Sequence, residues 1–227
     1  MKRGKSIEAL INKSRKTFVA LKNDYQESLH RKVVSEELKI DIKNIFENLR
    51  SCLDYVAHEV FEACISVTQP DKLYFPIRQS RNEFDNAIKK DFPGLQTAKP
   101  AVYNILELVQ PYHDKWLGQF NQLNNNNKHQ DLEEQTRTES KRVTVSSPSG
   151  GGSVSWGPGV TFGGGVSVMG VPIDPRTQMP VPNNQVKTEV MTWIDFRFKA
   201  NNESVLSFIE KSITSVENVY RQLGDHI

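Results

Sequence analysis

Two short segments carry the polar side chains that could do chemistry. Leu123-Asn-Asn-Asn-Asn-Lys-His129 is a polar run inside an otherwise helical region. Asn48-Leu-Arg-Ser-Cys-Leu-Asp-Tyr-Val-Ala-His58 carries Arg50, Asp54 and His58 at spacings of four on a strongly apolar helix. Because residues four apart share one face of a helix, we expect these three side chains to form one stripe. If the two helices pack together, the stripe and the asparagine run meet in one polar groove.

The asparagine run ends in residues suited to RNA chemistry. His129 lies one turn beyond Asn125, and Lys128 lies one turn beyond Asn124. A neutral histidine can take a proton from a ribose hydroxyl, and a nearby cation can stabilise a phosphorane-like transition state. Asparagine is costly in a helix because it competes for its own backbone, and such costs are often tolerated at functional sites.

Structural interpretations of the same residues stay open. The asparagine run is also typical of a frayed helix end with a surface histidine. Arg50 and Asp54 have the spacing of an ordinary ion pair on a helix surface. His58 fits a histidine at a packed interface.

Other kinds of catalytic site find little support. His58-Glu59 is not followed by a second histidine at helix spacing, and the chain has no CxxC pair. The glycine-rich region lacks the Lys-Ser/Thr of a P-loop, and neither GxGxxG at a helix start nor a nucleophile-elbow sequence occurs. The sequence therefore predicts no metal site and no cofactor.

Composition indicates an ordinary globular protein. The chain has 227 residues and a net charge of +2, and it is 37% hydrophobic and 25% charged. No apolar run approaches the ~20 residues that span a membrane, and the N-terminus lacks the apolar core of a signal peptide. We expect a cytoplasmic protein without membrane contact. Cys52 and Cys64 share one predicted helix ~18 Å apart, too far for a disulfide between them.

Apolar periodicity organises the chain into helices followed by a β-rich segment. Spacings of three and four predict helices over 5–30, from 35 towards Pro70, over 81–91, from Pro100 to about 109 and over about 114–132. Glycine and proline then become frequent, and short alternating runs predict a small antiparallel sheet of about four strands. A last helix begins near Asn202. The predicted domains are a helical bundle over 1–135, a β-rich insertion over 136–200 and a docking helix over 201–227.

The quoted motifs resemble a known superfamily. Asn48-Leu-Arg-Ser-Cys-Leu-Asp-Tyr55, Phe75-Pro-Ile77, Gln110-Pro-Tyr112 and Leu123-Asn-Asn-Asn-Asn-Lys-His129 together look like a group of uncharacterised bacterial helical proteins. That group is similar to the HEPN superfamily (higher eukaryotes and prokaryotes nucleotide-binding domain). The resemblance covers roughly residues 1–135, and it implies a HEPN-like helical bundle that the last helix completes, with the small antiparallel β insertion lying before that C-terminal helix.

The resemblance implies a function and places it on residues. Superfamily members often carry an arginine, four to six residues and then a histidine, and many are metal-independent endoribonucleases of toxin–antitoxin or phage-defence systems. Here His129 matches the histidine, while Asn124 or Asn125 takes the place of the arginine. Asparagine lacks the fixed positive charge, which Lys128 or Arg50 would supply.

Three functional hypotheses follow. The first is an RNA-cleaving or RNA-binding defence protein in which His129 is the general acid/base, Asn124 or Asn125 orients the phosphate, and Asp54 holds Arg50. The second is a non-enzymatic module that binds a nucleotide or a partner protein, such as an antitoxin or another defence-system component, through the same groove. The third is a structural subunit whose groove is a hydrogen-bonded interface. Long amphipathic helices also predict a homodimer.

Overall fold

The chain divides into two compact units in the computed structural model. The helical unit comprises Met1–Thr136 and Arg197–Ile227, and the β unit comprises Arg137–Phe196. The structure describes residues 1–31, 35–68, 70–129, 135–148 and 150–227. Side chains at 26–31, 128, 129, 137 and 191–194 lie outside that description. The sequence predicts the unit boundaries after residues 135 and 200.

The fold is mainly α-helical with small antiparallel sheets, as the sequence predicts. No helix in the described part of the chain has the length and apolarity needed to cross a membrane. Seven helices occur among the described residues: α1 Gly4–Arg31, α2 Glu36–Cys64, α3 Arg81–Asp91, α4 Leu95–Ala98, α5 Pro100–Leu108, α6 Trp116–His129 and α7 Val205–Gly224.

Helix α2 is the central element of the helical unit. Ser35 caps it by accepting a hydrogen bond from the backbone N–H of Leu38, and two glutamates follow in the first turn. The helix contacts α1, α6 and α7. The sequence predicts that it runs towards Pro70, whereas the helix ends at Cys64. Both Cys52 and Cys64 are free thiols.

Two features of the helical region differ from the sequence prediction. The short helix α4 was not predicted, because its four residues are too few to show a periodic pattern. Helix α6 begins at Trp116, and the end predicted near Leu132 falls outside the described residues.

The β unit holds more strands than predicted. The described strands are β1 Gln135–Ser146, β2 Ser153–Trp156, β3 Ser167–Val168, β4 Val171–Asp174, β5 Met179–Pro180 and β6 Lys187–Phe198. They form two three-stranded sheets in the orders β2-β1-β6 and β3-β4-β5. The expectation of about four strands in one sheet is therefore wrong, since β4 and β5 are runs of four and two residues that contain prolines and are too short to show a periodic pattern.

A small apolar core supports these sheets. Strands β1 and β2 pair antiparallel with Val143 opposite Trp156 and Val145 opposite Val154. Val143, Val145, Trp156 and Ile173 form the buried cluster of this unit.

Candidate functional site

A polar cavity of about 390 Å³ lies in the helical unit. We call it the arginine cavity. Its walls come from α2, the segment between α2 and α3, the end of α3, and α6. The lining residues are Arg50, Asp54, Lys72, Tyr74, Phe75, Ile77, Arg78, Asp91, Asn121, Asn124 and Asn125.

Arg50 is held at this cavity by an ion pair from its own helix. Its Nη2 lies 3.0 Å from Oδ1 of Asp54, and its side chain is only 13% exposed. Its Nη1 is buried and has no hydrogen-bond partner among the described residues. Burial lowers the pKa of Arg50, against the attraction and hydrogen bond of Asp54, yet a guanidinium stays protonated near neutral pH. The site therefore contains a fixed positive charge with one unused donor.

The wall formed by residues 74–78 is fixed by hydrogen bonds from two sides. Asp54 Oδ1 accepts the backbone N–H of Phe75 at 2.9 Å. Fully buried Gln110 accepts the backbone N–H of Arg78 at 2.9 Å and donates to the carbonyl of Pro76 at 2.9 Å. Arg78 also donates from Nη1 to the carbonyl of Ile77 at 2.8 Å. These hydrogen bonds tie the segment to α2 and to the residue that follows α5 and Val109.

The charge balance of the cavity is positive. Arg50, Lys72 and Arg78 supply three positive charges, and Asp54 and Asp91 supply two negative charges, leaving an excess of one. Within the described chain, Lys72 and Arg78 form no ion pair, so both cations are available to an anion.

An aromatic side chain lies beside these cations. Tyr74 lines the cavity and is 57% exposed, which is unusual for a large aromatic residue. Its ring offers an apolar surface next to the charged groups.

Helix α6 presents two different faces. Its buried stripe begins with Trp116, Leu117, Phe120 and Leu123 and continues with Asn124 and Asn127. Asn124 is 1% exposed, and its Oδ1 has no hydrogen-bond partner in the described structure. A buried acceptor in this state costs about 1–3 kcal/mol. Such a cost at the wall of a cavity points to a ligand donor.

The outer face of α6 lines a second cavity of about 670 Å³. We call it the amide cavity, because most of its lining residues carry side-chain amides. They are Gln79, Gln119, Asn121, Gln122, Asn125 and Asn126, together with Pro111, Lys115 and Gly118. Asn121 and Asn125 line both cavities, so the two adjoin along α6.

Gly118 allows α6 to lie close to the segment that follows α5. A Cβ atom at this position would lie 3.1 Å from Cβ of Pro111 and 3.5 Å from Nε2 of Gln79. A side chain at position 118 would require Pro111 to shift by a few tenths of an ångström, so glycine allows this close approach at the lining of the amide cavity.

The structure brings together four of the seven residues singled out from the sequence. Arg50, Asp54, Asn124 and Asn125 line the arginine cavity. His58, one turn further along α2, is half-buried and is not among the lining residues. The expected stripe of three therefore contributes two residues to the cavity.

The other two predicted residues lie in the last described turn of helix α6. Lys128 and His129 are the last residues of α6 that the structure describes, and their side chains lie outside that description. Their predicted roles therefore stay predictions.

Sequence reasoning missed the residues contributed by the segment between α2 and α3. Lys72, Tyr74 and Arg78 have no periodic pattern, and the available signal was the apolar Tyr74-Phe-Pro-Ile77 run next to two cations. Gln110 stands in the Gln110-Pro-Tyr112 motif, and nothing in that motif indicates its hydrogen bonds to Pro76 and Arg78.

A second polar cluster surrounds Glu107 on α5. Its carboxylate accepts hydrogen bonds from Arg81 Nη1 at 2.8 Å and from the Tyr112 hydroxyl at 3.1 Å, and it lies 2.7 Å from Nε2 of His113. Burial, the largest influence, raises the pKa of Glu107, but the bonds to His113 and Tyr112 and the attraction of Arg81 outweigh it and the pKa is lowered. These contacts connect α3 and the segment after α5 to α5. The same regions carry Gln79 and Pro111, which line the amide cavity. The arginine cavity and the amide cavity together are called the groove.

Within the described ranges, no group of three or more His, Cys, Asp or Glu side chains could hold a metal ion. Comparison of the chain with family models, curated proteins and solved structures finds no match.

Proposed function

We propose that the chain is a HEPN-like RNA-binding protein whose arginine cavity holds a phosphate of single-stranded RNA. The observation that carries the proposal is the buried, unpartnered Nη1 of Arg50 in a cavity with excess positive charge. An anionic oxygen at this position would restore the missing hydrogen bond and strengthen it by charge.

The surroundings of Arg50 favour a nucleotide over a simple anion. Exposed Tyr74 offers a face on which a base can stack, and single-stranded RNA is commonly bound in this way. Asn124 Oδ1 lacks a donor, which a base amino group or a ribose hydroxyl would supply. One nucleotide can thus supply a phosphate for Arg50, a base for Tyr74 and a hydrogen-bond donor for Asn124.

The HEPN resemblance supports RNA as the ligand. Residues from all four motifs that carry it line the arginine or the amide cavity: Arg50 and Asp54, Phe75 and Ile77, Pro111, and Asn124 and Asn125. Gln110, in the third motif, holds one cavity wall through its hydrogen bonds to Arg78 and Pro76.

Binding is tested by fluorescence anisotropy with a labelled single-stranded RNA of mixed sequence. We expect saturable binding that Arg50→Gln weakens about tenfold or more, since a hydrogen bond to a charged group contributes about 1.5–3 kcal/mol. Arg176→Gln, at an exposed position of the β unit, is the matched control and should bind normally. Equal affinity of both variants would refute the phosphate site.

Metal-independent RNA cleavage is the second candidate activity, favoured by the position of His129 one turn after the groove residue Asn125. His129 would act as general acid/base, with Lys128 offsetting charge. Cleavage should then persist in chelator and leave a cyclic phosphate from attack by the 2′-hydroxyl. His129→Ala should abolish it, whereas Asn124→Ala and Asn125→Ala should weaken it less.

RNA binding without any cleavage would leave a non-enzymatic nucleotide-binding module. Failure to bind RNA, together with capture of an antitoxin or other defence-system protein through the groove, would favour the partner-protein hypothesis.

A further inference from the structure

The groove along α6 is longer than one nucleotide site requires. The arginine cavity alone accounts for the unpartnered Arg50 and Asn124 atoms, yet the amide cavity continues from it across Asn121 and Asn125. These two residues are four apart on one helix, so their side chains form a continuous wall shared by both cavities.

The two cavities differ in chemistry. Of the lining residues, the arginine cavity has five that are charged, whereas in the amide cavity Lys115 is the one charged residue. Side-chain amides both donate and accept hydrogen bonds, as base edges do. The arginine cavity therefore suits a phosphate, and the amide cavity suits an unpaired base.

Lys115 immediately precedes α6, seven residues before Gln122. Its side chain is exposed and has no ion-pair partner among the described residues. A cation in this position fits the next phosphate of a chain that runs along the helix.

We propose that the amide cavity is a second nucleotide subsite, so that the ligand is a single-stranded oligonucleotide running along α6 from Arg50 towards Lys115. This inference rests on the proposed function, because it takes the arginine cavity as the first phosphate site. It adds one claim: a second nucleotide increases the affinity of the ligand by contacting residues of the amide cavity that do not contact the first nucleotide.

Calorimetry on the full chain with two defined ligands tests the inference. The ligands are 5′-adenosine monophosphate and the 5′-phosphorylated dinucleotide of adenosine. We expect the dinucleotide to bind about tenfold more tightly, because the second base gains hydrogen bonds from the side-chain amides and the second phosphate gains a charged contact with Lys115.

Variants of each cavity separate the two subsites. Gln122→Ala and Lys115→Ala should reduce dinucleotide affinity towards that of the mononucleotide and leave mononucleotide affinity unchanged. Gln96→Ala and Lys16→Ala, at exposed positions away from the groove, are the matched controls and should change neither. Arg50→Gln should weaken both ligands.

The outcomes distinguish this inference from the proposed function. Mononucleotide binding with no gain for the dinucleotide, or a gain that Gln122→Ala and Lys115→Ala leave intact, overturns the second subsite and leaves the phosphate site standing. Absence of binding by both ligands overturns both.

Discussion

Asp54 Oδ1 binds Arg50 Nη2 at 3.0 Å and the backbone N–H of Phe75 at 2.9 Å. One carboxylate oxygen thus holds the guanidinium on α2 and the segment that forms the opposite wall of the arginine cavity. A surface ion pair is one interpretation of the spacing of Arg50 and Asp54, but in the structure the pair is largely buried and it organises a site.

Replacing Asp54 with asparagine tests this double role. Asp54→Asn keeps an acceptor for Phe75 but leaves the Arg50 charge without its ion pair, so we expect the free energy of unfolding to fall by about 1–3 kcal/mol. Urea denaturation measures the change. The control Asp71→Asn, at an exposed position, should stay within about 0.5 kcal/mol of the wild type. Equal stabilities of the two variants would contradict the role given to Asp54.

Asn124 should show a trade between stability and binding. Asn124→Leu extends the apolar stripe of Leu117, Phe120 and Leu123 and removes a buried acceptor without a partner, so we expect stability to rise by about 1 kcal/mol. RNA affinity should fall in the same protein. Thermal denaturation and anisotropy measure the two effects, and a destabilised variant that binds RNA normally would contradict both expectations.

Glu107 should make stability depend on pH in the acid range. Its pKa in the folded protein lies below the ordinary value of 4.5, so its contribution is complete above that pH and is lost as the pH falls through the folded value. Urea denaturation between about pH 5 and pH 3 should show a steep loss of stability that Glu107→Gln makes shallower. Asp24→Asn, at an exposed carboxylate on α1, should keep the wild-type slope.

The homodimer expected from the sequence remains a prediction. Val19 on α1 is 62% exposed and Ile40 on α2 is 46% exposed, so these helices carry apolar surface outside the core. Light scattering at micromolar concentration should give about twice the 25.8 kDa chain mass, and Val19→Asp should reduce it. A wild-type mass equal to one chain would refute the dimer.

The part of the groove that lies on helices α2 and α6 could be predicted from the sequence. Arg50 and Asp54, and Asn124 and Asn125, lie on α2 and α6, whose apolar periodicity reveals which residues share a face. Once those helices were predicted to pack, the meeting of the two polar groups followed.

The remaining wall depends on contacts between distant parts of the chain. Tyr74 and Arg78 lie in a segment without periodicity, whose conformation is set by Gln110, 32 residues beyond Arg78. No local pattern reveals that Gln110 points back to this segment. Strands β4 and β5 were missed for a related reason, because such short pairs are stabilised by their partners and by the small core of their unit.

The most direct test of the phosphate site is NMR of the full chain titrated with 5′-adenosine monophosphate. Resonances of the Arg50 guanidinium and the Asn124 side-chain amide should shift with one common dissociation constant, while those of Arg176 and Gln96 should not. Adenosine without phosphate should leave the Arg50 resonance in place. Titration of the monophosphate to saturating concentration without a shift at Arg50, or with shifts confined to other regions, would contradict the account.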